Sequence, residues 1–135
     1  NNATDEIKLA PVYDCGSCLF PQASEEIMKN TLEDPEERNL RVFEIPLSGI
    51  KINGKKIRYF DFISSLQNTD CNQALKRILA RIDLIKINKI IDETPFISDL
   101  QKTFYKTILK ERKEHILNFS YEKLCKSKSS LSNEN

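Results

Sequence analysis

A chain of 135 residues with 39% apolar content is long enough for one domain with a hydrophobic core, and nothing in it calls for a second. Its 21 Lys and Arg nearly balance 20 Asp and Glu, a formal charge of +1 that excludes the basic footprint of a nucleic-acid binder. No window reaches the roughly 18 apolar residues of a membrane span, and three glycines exclude a phosphate-cradling loop or a dinucleotide fingerprint.

Residues 1–11 show no hydrophobic period, and Asn1, Asn2, Thr4 and Pro11 mark them as a flexible lead. The chain starts at Asn1 without a methionine, a basic leader or a hydrophobic run, so it reads as a mature chain freed of a signal peptide, or as a trimmed one. The single helical domain is expected over residues 12–126. Its first piece is an arm in which Val12, Tyr13, Leu19 and Phe20 surround Cys15-Gly16-Ser17-Cys18, and Pro21 stops it. Ser24 then serves as N-cap of a short helix with Ile27, Met28 and Leu32 on one face, ending near Asp34-Pro35. Met28 belongs to the core.

Leu40-Arg41-Val42-Phe43-Glu44-Ile45-Pro46 is rich in strand formers and partly alternating, which predicts a short strand. Asn53-Gly54 fits a two-residue type I′ hairpin with Ile50 facing Ile57, in competition with a helix starting near Lys55. Ile57, Phe60, Ile63 and Leu66 have helical spacing and predict a helix over about residues 57–67, broken by Asn68-Thr69.

The organising stretch follows. Asp70 and Gln73 have capping-box spacing, and Leu75, Ile78, Leu79, Ile82, Ile85 and Ile90 form a helical stripe widened by Ala80, Leu84, Ile87 and Ile91, which predicts one helix over 71–91. Thr94-Pro95 reads as an N-cap with proline at the first helical position, so a second helix is expected over 95–124, with Ile97, Leu100, Phe104 and Ile108 inside. Lys106, Lys110, Glu111, Arg112, Lys113 and Glu114 read as its solvated face. The two helices form an antiparallel hairpin. Residues 127–135 are polar, low in complexity and expected to be a disordered tail. The expected fold is therefore mainly α: a four-helix bundle with a small β-ribbon in the first crossover, stapled by disulfides.

The staples rest on Cys15, Cys18, Cys71 and Cys125, an even number without zinc-ribbon spacing. In an antiparallel hairpin Cys71 and Cys125 lie toward the same end, so Cys15 and Cys18 are each expected to reach one of them, in either pairing. Each bond would contribute on the order of 2–4 kcal/mol. Asn2-Ala3-Thr4 and Asn118-Phe119-Ser120 are glycan acceptor sequons; together with the cysteines they place the chain in the secreted or extracellular class. No metal site or cofactor is called for. His115 is the one histidine and nothing picks out a partner for it, while Glu25-Glu26 and Glu36-Glu37 have ordinary reasons to sit at a helix start and in a turn. The motif with intrinsic reactivity is CxxC, and a thiol-disulfide oxidoreductase with Thr94-Pro95 beside its dithiol is the enzymatic alternative.

Two stretches carry a family resemblance. Residues 40–46 ahead of a helix resemble the crossing strand of the short-chain four-helix cytokines, and residues 96–115 resemble their last, receptor-facing helix. The resemblance implies recognition without catalysis: a ligand engaging a protein receptor or other cell-surface protein. Lys102, Tyr105, Lys106, Leu109, Lys110 and Lys113 are the candidate partner-binding residues, basic steering groups around apolar anchors. A non-signalling adaptor or host-interaction protein in a cell-surface complex fits the same composition.

Overall fold

The computed structural model describes residues 8, 10–13 and 15–132. The arm makes a hydrogen-bonded turn, Cys18 N–H to Cys15 O at 3.3 Å, and delivers Leu19 and Phe20 to the core. Helix α1 (Glu25–Glu33) starts where expected: Ser24 Oγ accepts from Ile27 N–H at 3.2 Å. Met28 and Thr31 are its buried residues.

Asp34 closes α1 and opens α2 (Pro35–Asn39), accepting from Glu36 N–H at 2.9 Å with Pro35 in the first turn. No strand follows. The chain stays helical and widens into a π turn over Leu40–Glu44, so the strand expected at residues 40–46 is corrected. The β-formers there are overridden because the capped helix carries Val42 into the core against Phe104 and Ile108, where burial outweighs a strand preference of under about 1 kcal/mol.

The ribbon is as expected. Strands β1 (Lys51–Ile52) and β2 (Lys55–Lys56) pair antiparallel, Lys51 opposite Lys56, and Ile57 N–H closes on Ile50 O at 3.0 Å. Asn53 and Gly54 are both left-handed, φ 51° and 77°, as a type I′ turn demands. Helix α3 (Tyr59–Ser65) ends on left-handed Leu66.

The helix expected over 71–91 is two. Helix α4 (Thr69–Leu79) is capped by Asn68, whose Oδ1 accepts from Cys71 N–H at 2.8 Å, and α5 (Leu84–Glu93) by Asp83, which accepts from Ile85 and Lys86 N–H. A short acidic side chain competes for helical amides, so Asp83 starts a helix more readily than it continues one. Thr94 ends α5, donating its hydroxyl to Ile90 O at 2.7 Å, and α6 (Asp99–Arg112) begins at Ser98 in a reciprocal capping box with Gln101. The start expected at Pro95 is thus four residues early. A second π turn (Lys113–Asn118) runs into α7 (Phe119–Ser132), which takes residues 127–132 into a helix where a disordered tail was expected.

The antiparallel arrangement holds: α5 packs on α6 and α4 on α7, while α1 covers α6 and α3 rests on α7. The core is centred on α6, where Phe104 and Ile108 are fully buried among Met28, Val42 and Ile116. The fold is mainly helical with one two-stranded ribbon, but it has seven α-helical segments among the described residues rather than a four-helix count. No described helix is long and apolar enough to cross a membrane.

The disulfide staples are also corrected. Cys15, Cys18, Cys71 and Cys125 are all free thiols. Cys125 does lie beside the start of α4, lining a cavity with Thr69, Asn72 and Gln73. The arm, however, meets the hairpin at Arg112, thirteen residues before Cys125, or about 20 Å along the helix.

Candidate functional site

The polar centre of the fold is Arg112, the last residue of α6. Its Nη1 donates to Cys18 O at 2.9 Å, and its Nη2 to Arg41 O at 3.0 Å and Ile45 O at 3.3 Å. One guanidinium thus joins the arm, the first π turn and the loop after it. Its Cζ stands 5.6 Å from the Phe20 ring centre, adding a cation–π contact. Burial pushes the Arg112 pKa below its ordinary value, an effect opposed by Cys18, and the group stays charged because arginine does not deprotonate in proteins.

Arg112 also borders an apolar groove of about 270 Å³, walled by both π turns and α3: Val42 and Phe43 from the first, Ile116 and Leu117 from the second, Tyr59 and Ile63 from α3. The groove's outer edge is Ile45-Pro46, joined by a cis peptide. Beside it Arg58 grips Asp61 with two hydrogen bonds, 2.6 and 2.9 Å, and also reaches the Glu44 carboxylate. The Arg58 hydrogen bonds hold the Asp61 carboxyl below its usual range. This pair of arginines locks the groove's walls together. An apolar side chain fits such a groove, but the guanidinium at its edge is already committed to main-chain carbonyls.

None of these groups forms a nucleophile–base pair. His115 lies exposed on the second π turn with its Nε2 2.7 Å from Glu111 Oε2, and Glu111 also faces Arg38 at 3.6 Å. The CxxC turn has no thioredoxin-like sheet beside it among the described residues, and Pro95 lies in the α5–α6 link, away from the arm. No three metal-ligating side chains come together among the described residues.

The six candidate partner-binding residues do not form one open surface; only Lys110 is exposed. Lys102 Nζ donates to Asp92 O at 2.8 Å and Lys106 Nζ to Asp92 Oδ1 at 2.7 Å, tying α6 to α5. Tyr105 packs on the core, Leu109 is half-buried, and Lys113 Nζ donates to Asn118 Oδ1 at 3.4 Å. Of the sequons, Asn2 lies outside the described residues. Asn118 is in continuous helix and its Ser120 is fully buried, donating to Ile116 O at 2.6 Å, so that sequon reads as helix structure rather than a glycan acceptor. The paired cysteines are not a feature of the fold.

Sequence reasoning missed Arg112 and the Arg58 cluster. A signal for Arg112 was present: it stands four residues after Ile108 and eight after Phe104, on the inner stripe.

No protein-family model matches the chain. The serine/threonine-protein kinase CtkA of Helicobacter pylori (strain J99) is 45% identical over 117 residues, covering 86% of this chain and 36% of the kinase. The crystal structure of a Helicobacter pylori proinflammatory kinase CtkA superposes with a TM-score of 0.82 at 43% identity, covering 90% of this chain and 44% of that one. The chain shares the fold of part of that kinase.

The chain spans less than half the length of these relatives. Their names and fold overturn the cytokine-like, receptor-engaging reading and its adaptor and thiol-oxidoreductase alternatives. They also remove the ground for reading the chain as a non-enzyme, since both relatives are named as kinases.

Proposed function

We propose that this chain supplies a helical part of a serine/threonine protein kinase. The observation that carries the reading is identity of 43–45% across nine-tenths of the chain, in the same fold as part of CtkA. Phosphoryl transfer depends mostly on positioning and on electrostatic stabilisation of the transferred group. The Arg112 joint and the Arg58 cluster make a rigid wall of the kind such positioning needs.

Among the described residues no three metal-ligating side chains gather, and Gly16, Gly49 and Gly54 are too scattered for a phosphate loop. In this reading no nucleotide or metal contact and no catalytic step is assigned to these residues.

The test is a chimera in which this chain replaces its matching stretch of Helicobacter pylori CtkA, assayed for transfer of labelled phosphate from ATP to serine and threonine. Retained transfer supports the reading. A folded, monodisperse chimera without transfer, beside an active parent, refutes it.

A further inference from the structure

Helices α4 and α7 leave a cavity of about 410 Å³ between them, larger and more enclosed than the groove beside Arg112. Each helix lines it with one stripe: α4 with four residues at i, i+3, i+4 and i+7 from Thr69 to Lys76, and α7 with four at the same spacing from Tyr121 to Lys128. Such a stripe spans about 10 Å of helix. The lining is mostly apolar, and the Tyr121 ring, Leu124 and the lysine stems contribute to it.

Its charge has one sign. Lys76 stands on one wall and Lys128 on the other, and no carboxylate is among the lining residues. Neither ammonium makes a hydrogen bond or ion pair among the described residues. The sequence explains why. The positions three and four residues away along each helix are Asn72, Gln73, Leu79 and Ala80 around Lys76, and Leu124, Cys125, Leu131 and Ser132 around Lys128, none of them acidic. Asp70 and Glu122, the acids nearest in sequence, fall off both stripes and line no part of the cavity. Thr69 and Gln73 add neutral donors.

We propose that this cavity binds a small organic anion, its negative charge facing the ammonium groups of Lys76 and Lys128 and its apolar body resting on Tyr121 and Leu124. Cations set in an apolar cavity without an anion of their own are the convergent polar groups that fix a ligand's orientation. The size favours a small molecule over a polypeptide. The volume falls within the roughly 300–1,000 Å³ of small-ligand sites, whereas 10 Å of helix is matched by only about three residues of extended chain. Cys125 reports occupancy, because its thiol lines the same cavity and hydrogen-bonds the Tyr121 hydroxyl, holding that phenol above its ordinary pKa. The inference does not rest on the kinase reading, since this binding needs no phosphoryl transfer.

The experiment alkylates the full chain with iodoacetamide, a neutral reagent, and follows each cysteine by peptide mass mapping. Two probes share one apolar body: 8-anilinonaphthalene-1-sulfonate carries an anion, and N-phenyl-1-naphthylamine does not. The sulfonate should shield Cys125 and leave Cys15 and Cys18 reacting as before, while the neutral probe at the same concentration should shield none of them. Lys76→Gln with Lys128→Gln should weaken the shielding about tenfold, the sum of two exposed charge contacts. Lys126→Gln, on α7 but outside the cavity, should leave it unchanged. All three lysines are exposed, and circular dichroism verifies that the variants fold. Competition by hexanoate or by hexyl phosphate supports the proposal and tells a carboxylate from a phosphate monoester. Equal shielding by both probes, shielding that survives the double substitution, or none at all overturns it. So does shielding by polyglutamate without shielding by the sulfonate, a result that assigns the cavity to an acidic polypeptide.

Discussion

Replacing Arg112 by methionine should loosen the fold around the arm before anything else. The substitution keeps the stem that fills the space beside Ile116 and Leu117 but removes every donor to Cys18 O, Arg41 O and Ile45 O. The bonds to Cys18 and Ile45 are exposed, so water replaces them at a cost of about 0.5 kcal/mol each, whereas the part-buried bond to Arg41 is charge-assisted and contributes about 2 kcal/mol. Loss of the Phe20 contact adds about 0.5–1 kcal/mol. Relief from burying a cation returns part of this, so the net loss expected is about 3 kcal/mol. Urea unfolding followed by circular dichroism should show that loss with an unchanged m-value. Thermolysin should also cut before Leu19 faster than in the parent, because the arm is held to α6 through Cys18 O. Unfolding within about 0.5 kcal/mol of the parent, with no change in cleavage, refutes the account of Arg112 as a joint.

Four further outcomes are expected. Phe104→Ala, at a fully buried position, should cost about 3–5 kcal/mol in the same urea assay; under about 1 kcal/mol would mean that α6 is not the centre of the core. Gly54→Ala meets no atom within 4 Å but must hold φ 77°, so it should destabilise the ribbon by about 1 kcal/mol, read as faster exchange of the Ile57 amide; unchanged exchange sinks the turn assignment. Asp61 sits below its ordinary value of 3.8 when folded, so the unfolded chain takes up its proton first. Its contribution is therefore complete above about pH 4 and lost as pH falls through the lower folded value. Carboxyl NMR should show Asp61 returning toward the ordinary value in Arg58→Gln, and equal midpoints in both proteins would contradict the pairing. All four thiols should react with Ellman's reagent in the native protein, Cys71 slowest because burial raises its pKa; fewer than four would reinstate a disulfide.

Much of the fold was legible because local chemistry and burial agree. Ser24 is a cap, Asn53-Gly54 is a turn, and Met28, Leu75, Ile91, Phe104 and Ile108 are buried as their spacing indicates. The failures share a cause. Residues 40–46 have strand propensity, yet a helix already started at Pro35 carries Val42 into the core. Ile85 and Ile90 belong to a stripe that reads as buried, although Asp83 restarts the helix and turns them outward. Arg112 reads as one charge in a charged run, and only the fold reveals three carbonyls converging on it. The site was not legible because its partners lie 67 to 94 residues away in sequence.

The second π turn has a consequence for how this helix tolerates change. Positions four apart drift about 40° around an α-helix, so a stripe that begins at Phe104 would soon leave the core. The wide turn over Lys113–Asn118 winds back, which is why Ile116 and Ser120 still face inward. Deleting one residue there would restore a regular helix and rotate α7 by about 100°. Lys123 would swing off Ser64 O, and the wall that α7 presents to α3 and α4 would be a different one, with every other side chain intact. The count of residues in this segment is thus a constraint of its own, and one-residue deletions should be harsher here than most substitutions.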